Sequence, residues 1–547
     1  MKQLTGLDAG FLYMETPTTF GHVNGLGIYR RPAPDWDPFE HVYAKFASMV
    51  GDVEPLRRRL AEVPFNLDHP YWVDDEDFDL DFHVRHIGIP PPGNDQQLAE
   101  QVARIIGRPM DRSRPLWEVY VVEGLPDNRW GLLAKYHHAT IDGAAGVILL
   151  NMLTDLTPDA PPPGECTPWQ GEPIPSDLDL LRRTVANLTL NPVKNARLQL
   201  RMVQTLAAAV GVTSVSSAAT QARALIKTLV NRDAAEGPEN ERIVTMPLTP
   251  APPTPWNRTI TAHRRFAMRS ASLDDLKRLK EATGGTLNDV VMAVCTGALR
   301  AYLLKHDALP DKPLRAMVPV SIRTGDETDV WSNRVSGIIA DLPTNCDDPL
   351  QRVALCREAM AAAKRQFELV PADALVEATQ ATSPVVAASA LRLASRLRLA
   401  DLVNLPTNVV ISNVPGPRKA LYFAGSQMEN YIPVSIVTDG MGLNITVHSY
   451  MDRLDFGLVA CRELVPDLWD MVDLHIAEIE VLMIAAGLRP APTKAPTTTK
   501  ATTKAPTTTK ATTKAKTKAT VTTKAKATKK PTSTATAPRR RGSTRAG

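Results

Sequence analysis

The run Tyr136-His137-His138-Ala139-Thr140-Ile141-Asp142-Gly143 joins two apolar stretches, Trp130-Gly131-Leu132-Leu133-Ala134 before it and Ala144-Ala145-Gly146-Val147-Ile148-Leu149-Leu150 after it. That pattern predicts strand, loop, helix. Side chains alternate across a strand. Leu132, Ala134, Tyr136 and His138 therefore share one face, and Leu133, Lys135 and His137 the other. Adjacent histidines then point opposite ways, and only one enters a given site. A histidine at a strand end, backed by Asp142 and Gly143, suits a general base acting on a hydroxyl. An HH pair alone also fits a structural role. A shared metal does not fit, because the rings diverge and no third ligand stands at helical or CxxC spacing.

The 547 residues suffice for two or three domains. A hydrophobic content of 44% and a charged content of 22% are ordinary for a globular protein with a sizeable core. The net charge of +4 conceals an asymmetry. Residues 491–547 carry 15 Lys or Arg and no acid, which leaves 48 basic against 59 acidic residues in the rest. An acidic body thus bears a basic tail. Five scattered cysteines form neither a disulfide framework nor a zinc motif, and a reducing cytoplasm is expected. The N-terminal residues lack an apolar signal region. Met202 to Ala222 is uncharged for long enough to span a bilayer. Its glutamines, serines and threonines predict a packed or surface-lying helix instead.

Strands alternate with helices over residues 1–155, which predicts a layered α/β domain. Its expected elements are strands at 21–29, 82–87 and 117–122 and helices at 37–48 and 96–106. Residues 156–257 read as a linker, Pro-rich at both ends and helical over 177–231. A second α/β domain spans 258–488. Its expected strands are 259–268, 314–322, 408–414, 443–448 and 455–460. Its expected helices are 272–283, with Ser272 as cap, 286–306 and 467–486. Residues 489–547 hold a tandem repeat, KAPTTTKATT at 494–503 and 504–513, and no aromatic residue. Such a segment cannot bury enough apolar surface to offset its ordering entropy, so disorder is expected.

Several motifs stand in order along the chain: Leu7-Asp8-Ala9-Gly10-Phe11-Leu12, Phe78-Asp79-Leu80-Asp81-Phe82-His83-Val84, Arg114-Pro115-Leu116-Trp117-Glu118 and the HHxxxDG run. Leu287-Asn288-Asp289-Val290, Val318-Pro319-Val320-Ser321-Ile322-Arg323 and Asn408-Val409-Val410-Ile411-Ser412-Asn413-Val414-Pro415-Gly416-Pro417 follow. Together, over residues 4–488, they resemble the bacterial wax ester synthase/acyl-CoA:diacylglycerol acyltransferase family of the CoA-dependent acyltransferase superfamily. The resemblance implies an α/β fold of two chloramphenicol acetyltransferase-like domains joined by the helical linker, with a channel between them. It implies transfer of a long-chain acyl group from acyl-CoA, as co-substrate, to diacylglycerol or a fatty alcohol, with no metal or redox cofactor. Diacylglycerol is the acceptor expected here. The alternatives are wax ester synthesis, a condensation-type reaction on carrier-protein thioesters, and a non-catalytic lipid-binding relative.

Within that reading His138 is the general base and His137 turns toward the core. Asp142 is architectural and pairs with a basic residue; which arginine is open, with Arg323 one choice. Gly143 allows a positive φ or a close backbone approach. Asn288 either caps its helix with Asp289 or lines the site from the second domain. Ser412 and Asn413 are candidate oxyanion donors. Cys295 and Cys461 have no activating partner. The lipid substrates imply peripheral association with a membrane or lipid body, and Ser383 to Val403, apolar with Arg392, Arg396 and Arg398, fits either an interface or a core. The tail is read as solubilising, membrane-binding or nucleic-acid-binding. The absence of aromatics disfavours nucleic acid, and membrane association is the reading adopted.

Overall fold

Arg129–His137 lies inside the first of two six-stranded sheets. The computed structural model describes residues 1–159, 162–190, 249–321, 331, 333, 335–368 and 384–490. Met202 to Ala222, Arg323 and the basic tail from residue 491, on which sequence readings were made, lie outside the described residues.

The first sheet runs in the order Tyr422–Phe423, Ser426–Val434, His22–Arg30, Arg129–His137, Trp117–Glu123, Val84–Gly88. His137 faces His22 across the ladder, and Tyr136 faces Val23. Pro38–Met49 packs its Val42 and Phe46 with Trp117 and Trp130 on one face. Asp95–Ile106, opened by an Asn94/Gln97 capping box, covers the other face with Leu98 and Val102.

The second sheet runs Val335–Leu342, Leu314–Ser321, Val409–Val414, Leu443–Tyr450, Arg453–Cys461, Arg264–Ser272. Leu287–Lys305, Pro349–Glu368 and Leu468–Ala485 bury their apolar residues in its core. Leu287–Lys305 is long and apolar enough to cross a membrane, yet it is largely buried as a core helix. The mixed α/β architecture with two sheet-rich halves is the fold class that the sequence predicts.

Several elements differ from expectation, and the strand Val335–Leu342 and the helices Gly6–Tyr13 and Pro349–Glu368 were not expected. Phe82 and His83 belong to a helical turn, Leu80–His83, that Asp79 caps, and the strand is Val84–Gly88. The strand expected from Thr259 starts at Arg264, because Trp256 and Asn257 donate to the Asn408 carbonyl and pin the preceding loop. Ser426–Val434, not expected as a strand, pairs antiparallel with His22–Arg30 in the first sheet. The boundary at residue 258 therefore does not coincide with the boundary between the sheets.

Candidate active site

His138 follows directly on Arg129–His137, and its N–H donates to the Gly21 carbonyl, so the ladder continues for one more residue. Its ring stacks on Phe11, with centroids 3.8 Å apart and planes 9° from parallel. Phe11 is presented by the helix Gly6–Tyr13, whose cap Thr5 accepts from the Asp8 N–H. Burial lowers the His138 pKa below its ordinary value, against smaller opposing effects of Asp142 and Asn333. The imidazole is therefore neutral at pH 7, as a base requires.

The hydrogen bonds of Asn333 set which ring nitrogen carries the proton. Asn333 Nδ2 lies 2.6 Å from Asp8 Oδ1 and 2.6 Å from the His138 carbonyl, so both of its hydrogens are engaged. Its backbone N–H also donates to Asp8 Oδ1, at 2.9 Å. The amide oxygen then faces His138 Nδ1 at 2.9 Å, and an oxygen accepts only from an N–H. The proton sits on Nδ1, and the lone pair is on Nε2. Among the described residues Nε2 makes no hydrogen bond. Asp8 itself is buried, which raises its pKa despite hydrogen bonds from Thr5 and Asn333.

His137 points the other way, into the core, and is 1% exposed. Its Nδ1 accepts from the Ala139 N–H, at 3.1 Å. That leaves the hydrogen on Nε2, 3.2 Å from Glu15 Oε1. Glu15 also accepts from the Gly21 N–H, at 2.8 Å, and from Arg112 Nη2, at 2.6 Å. Burial opposes ionisation of Glu15, but His137 and Arg112 together hold its pKa far below the ordinary carboxylate range. This chain of contacts fixes the turn on which His138 stands.

Asp142 is the N-cap of Gly143–Leu153 and accepts from the Ala145 N–H, at 2.9 Å. Gly143 has neither a positive φ nor a close neighbour, since a Cβ there meets nothing within 4 Å. The close-approach glycine is Gly21, where a Cβ would lie 2.7 Å from His137 Nε2. Asn288 does not cap its helix; Thr286 and Asp289 form the capping box. Asn288 Oδ1 instead accepts from Asn413 Nδ2, at 3.2 Å. Ser412 projects to the opposite face of its strand from Asn413. No hydrogen bond among the described residues joins these three to His138. Cys295 is buried, and burial raises its pKa, so it is no nucleophile.

Phe11, Glu15 and Asn333 contact the two histidines, and Asp8 holds Asn333, without having been assigned roles from sequence. Asp8 and Phe11 lie in the N-terminal motif Leu7-Asp8-Ala9-Gly10-Phe11-Leu12, which was the available signal for them. Asn333 lies in Trp331-Ser332-Asn333-Arg334, and no spacing or periodicity singles it out.

Comparison with known proteins identifies the family. Residues 4–291 match the wax ester synthase/diacylglycerol acyltransferase catalytic domain, and residues 331–482 match the C-terminal domain of the same family. The O-acyltransferase WSD of Acinetobacter baylyi is 34% identical over 480 residues, 87% of this chain and 96% of its own. A Mycobacterium tuberculosis protein named as a diacylglycerol O-acyltransferase is 35% identical over 477 residues, 86% of this chain and 88% of its own. The solved wax ester synthase/diacylglycerol acyltransferase from Marinobacter aquaeolei superposes with a TM-score of 0.63 at 30% identity, over 89% of this chain and all of that one. The chain belongs to the wax ester synthase/diacylglycerol acyltransferase family and is an acyltransferase that uses acyl-CoA.

Proposed function

We propose that the enzyme transfers a long-chain acyl group from acyl-CoA to diacylglycerol, with His138 as the base. The observation that carries this reading is the tautomer that Asn333 imposes on His138. The Nε2 lone pair takes the proton from the acceptor hydroxyl as its oxygen bonds to the thioester carbonyl carbon. The tetrahedral intermediate collapses with cleavage of the C–S bond. The departing thiolate recovers the proton from Nε2, giving triacylglycerol and free CoA. No charge accumulates on the enzyme over the cycle. Asn413, on the second sheet, and Asn288, on the helix Leu287–Lys305, are proposed to face the substrate.

The test is an assay with labelled palmitoyl-CoA that offers dipalmitoylglycerol and hexadecanol separately, with His138→Ala as control. Ester product lost in the variant supports the reading. No ester from either acceptor overturns it.

We further propose that the enzyme works on a membrane or lipid-body surface facing the cytoplasm. Pro384–Arg396 and the turn after it leave Leu391, Leu393, Leu397 and Leu402 exposed, the last at 77%. Arg392, Arg396 and Arg398 are interleaved with them. Phe65, held at a φ of 58° on the adjoining turn, is 82% exposed. Apolar side chains among arginines suit the boundary between headgroups and acyl chains.

A further inference from the structure

Three polar side chains, Tyr136, Tyr431 and His448, come together on the strand face that leads to His138 and on its neighbours; Tyr136 and His448 are buried without partners, and Tyr431 is half-buried. Tyr136 lies on the same strand face as His138, two residues back, and its buried hydroxyl has no hydrogen-bond partner among the described residues. Tyr431 pairs in register with Gly27, on the strand beside Arg129–His137. Its hydroxyl leans along that strand over Gly25, where a Cβ would come within 2.1 Å of it. The ring of His448 lies 4.8 Å from that of Tyr431. His448 is 2% exposed, and neither of its ring nitrogens has a partner. The turn Pro415-Gly416-Pro417 clears space for it, since a Cβ on Gly416 would lie 2.2 Å from His448 Cε1.

Unpartnered buried polar atoms are costly and rare, and each asks for an explanation. Here glycines hold the space that two of the three groups occupy. Burial lowers the His448 pKa to about 4, so the ring is neutral with one N–H to donate. The set therefore offers two phenol hydroxyls and one imidazole N–H to an uncharged acceptor carried on an apolar body. Ester carbonyls have that chemistry. A diacylglycerol brings two of them, a few bonds from the reacting hydroxyl, whereas a fatty alcohol brings none.

We propose that Tyr136, Tyr431 and His448 form a subsite for the ester carbonyls of a diacylglycerol acceptor. The subsite rests on the acyl-transfer reading above and adds to it the basis of acceptor choice. A site built to hydrogen-bond a substrate group rejects an analogue that lacks it.

The experiment compares kcat/KM for dipalmitoylglycerol with that for 1,2-di-O-hexadecylglycerol, the diether of the same shape without carbonyls, using the full chain and palmitoyl-CoA. The wild type is expected to favour the diester by tenfold or more. Tyr136→Phe and His448→Leu should each lose most of that preference by a fall on the diester alone. Tyr136→Phe removes an unpartnered hydroxyl and should melt no lower than wild type, so it tests the subsite even if His448→Leu folds poorly. No preference in the wild type overturns the subsite and leaves acyl transfer intact. An equal loss on both acceptors also overturns it, because the groups then serve the shared acyl-CoA or the fold. No ester from any acceptor overturns the acyl-transfer reading and the subsite together.

Discussion

The side-chain oxygen of Asn333 stands 2.9 Å from His138 Nδ1, so a residue 195 positions away determines where the ring proton sits. Replacing Asn333 by Ala removes that acceptor and both donors of the same amide. The expected result is a fall in kcat of up to ~10²-fold, below the ~10⁴-fold cost of the wrong tautomer on a catalytic histidine. The KM for acyl-CoA should stay within about twofold, since tautomer control acts on the chemical step rather than on binding. Steady-state kinetics of the purified variant provide the check; a rise in KM at constant kcat would count against the assignment.

Burial places the His138 pKa below the ordinary 6.5. The protonated ring cannot act as a base, so a lower pKa keeps the enzyme active to lower pH. The acid limb of kcat/KM should therefore have an apparent pKa under 6.5. A limb at or above that value would show that the ring is not desolvated as described. His138→Ala should lose about 10²–10⁴-fold in rate.

Glu15 should matter to stability more than to chemistry. Glu15→Ala leaves His137 and Arg112 without their shared carboxylate and is expected to cost about 2–4 kcal/mol. The Glu15 pKa is lowered from 4.5 in the fold, so its contribution is present above that pH and fades as the pH falls toward the folded value. Thermal melts at pH 7 and pH 4 should show Glu15→Gln losing less on acidification than wild type does.

Asp142 caps the helix that follows the histidines. Asp142→Ala should cost about 1 kcal/mol or more through the lost cap, and Asp142→Asn less, since Asn caps as well as Asp. Thermal unfolding ranks the two. Equal losses would place the weight on the carboxylate charge, as expected from the resemblance alone.

The exposed leucines give a binding test. Leu393→Glu with Leu397→Glu should reduce sedimentation with phosphatidylcholine/phosphatidylglycerol vesicles severalfold while leaving the melting temperature unchanged, because both side chains are exposed. Unchanged sedimentation would point to another surface or to the basic tail.

Much of the site could be read from local pattern. Opposed directions for His137 and His138 follow from strand alternation, and the helix after Asp142 follows from the apolar run. Asn333, Glu15 and the Asn288–Asn413 pair could not be read, because each contact joins residues far apart in the chain and has no periodicity. Gly143 was assigned the close approach that Gly21 makes. Gly21 comes next to the histidines only through the pairing of His22 with His137, which no single segment encodes. Ser426–Val434 escaped for a related reason: its alternation is weak, and it is a strand chiefly because His22–Arg30 offers it an edge.

That late strand also bears on how the protein is made. Asn24 donates to the Val434 carbonyl across 410 residues. At ribosomal speeds of about 5–20 residues per second, His22–Arg30 must wait roughly 20–80 s for its neighbour. During that interval it presents an open edge, the usual template for aggregation. A gene cut at the linker would leave its first product with that edge permanently unfilled. The two halves are thus expected to need synthesis together, or a chaperone that shields the first until the second emerges.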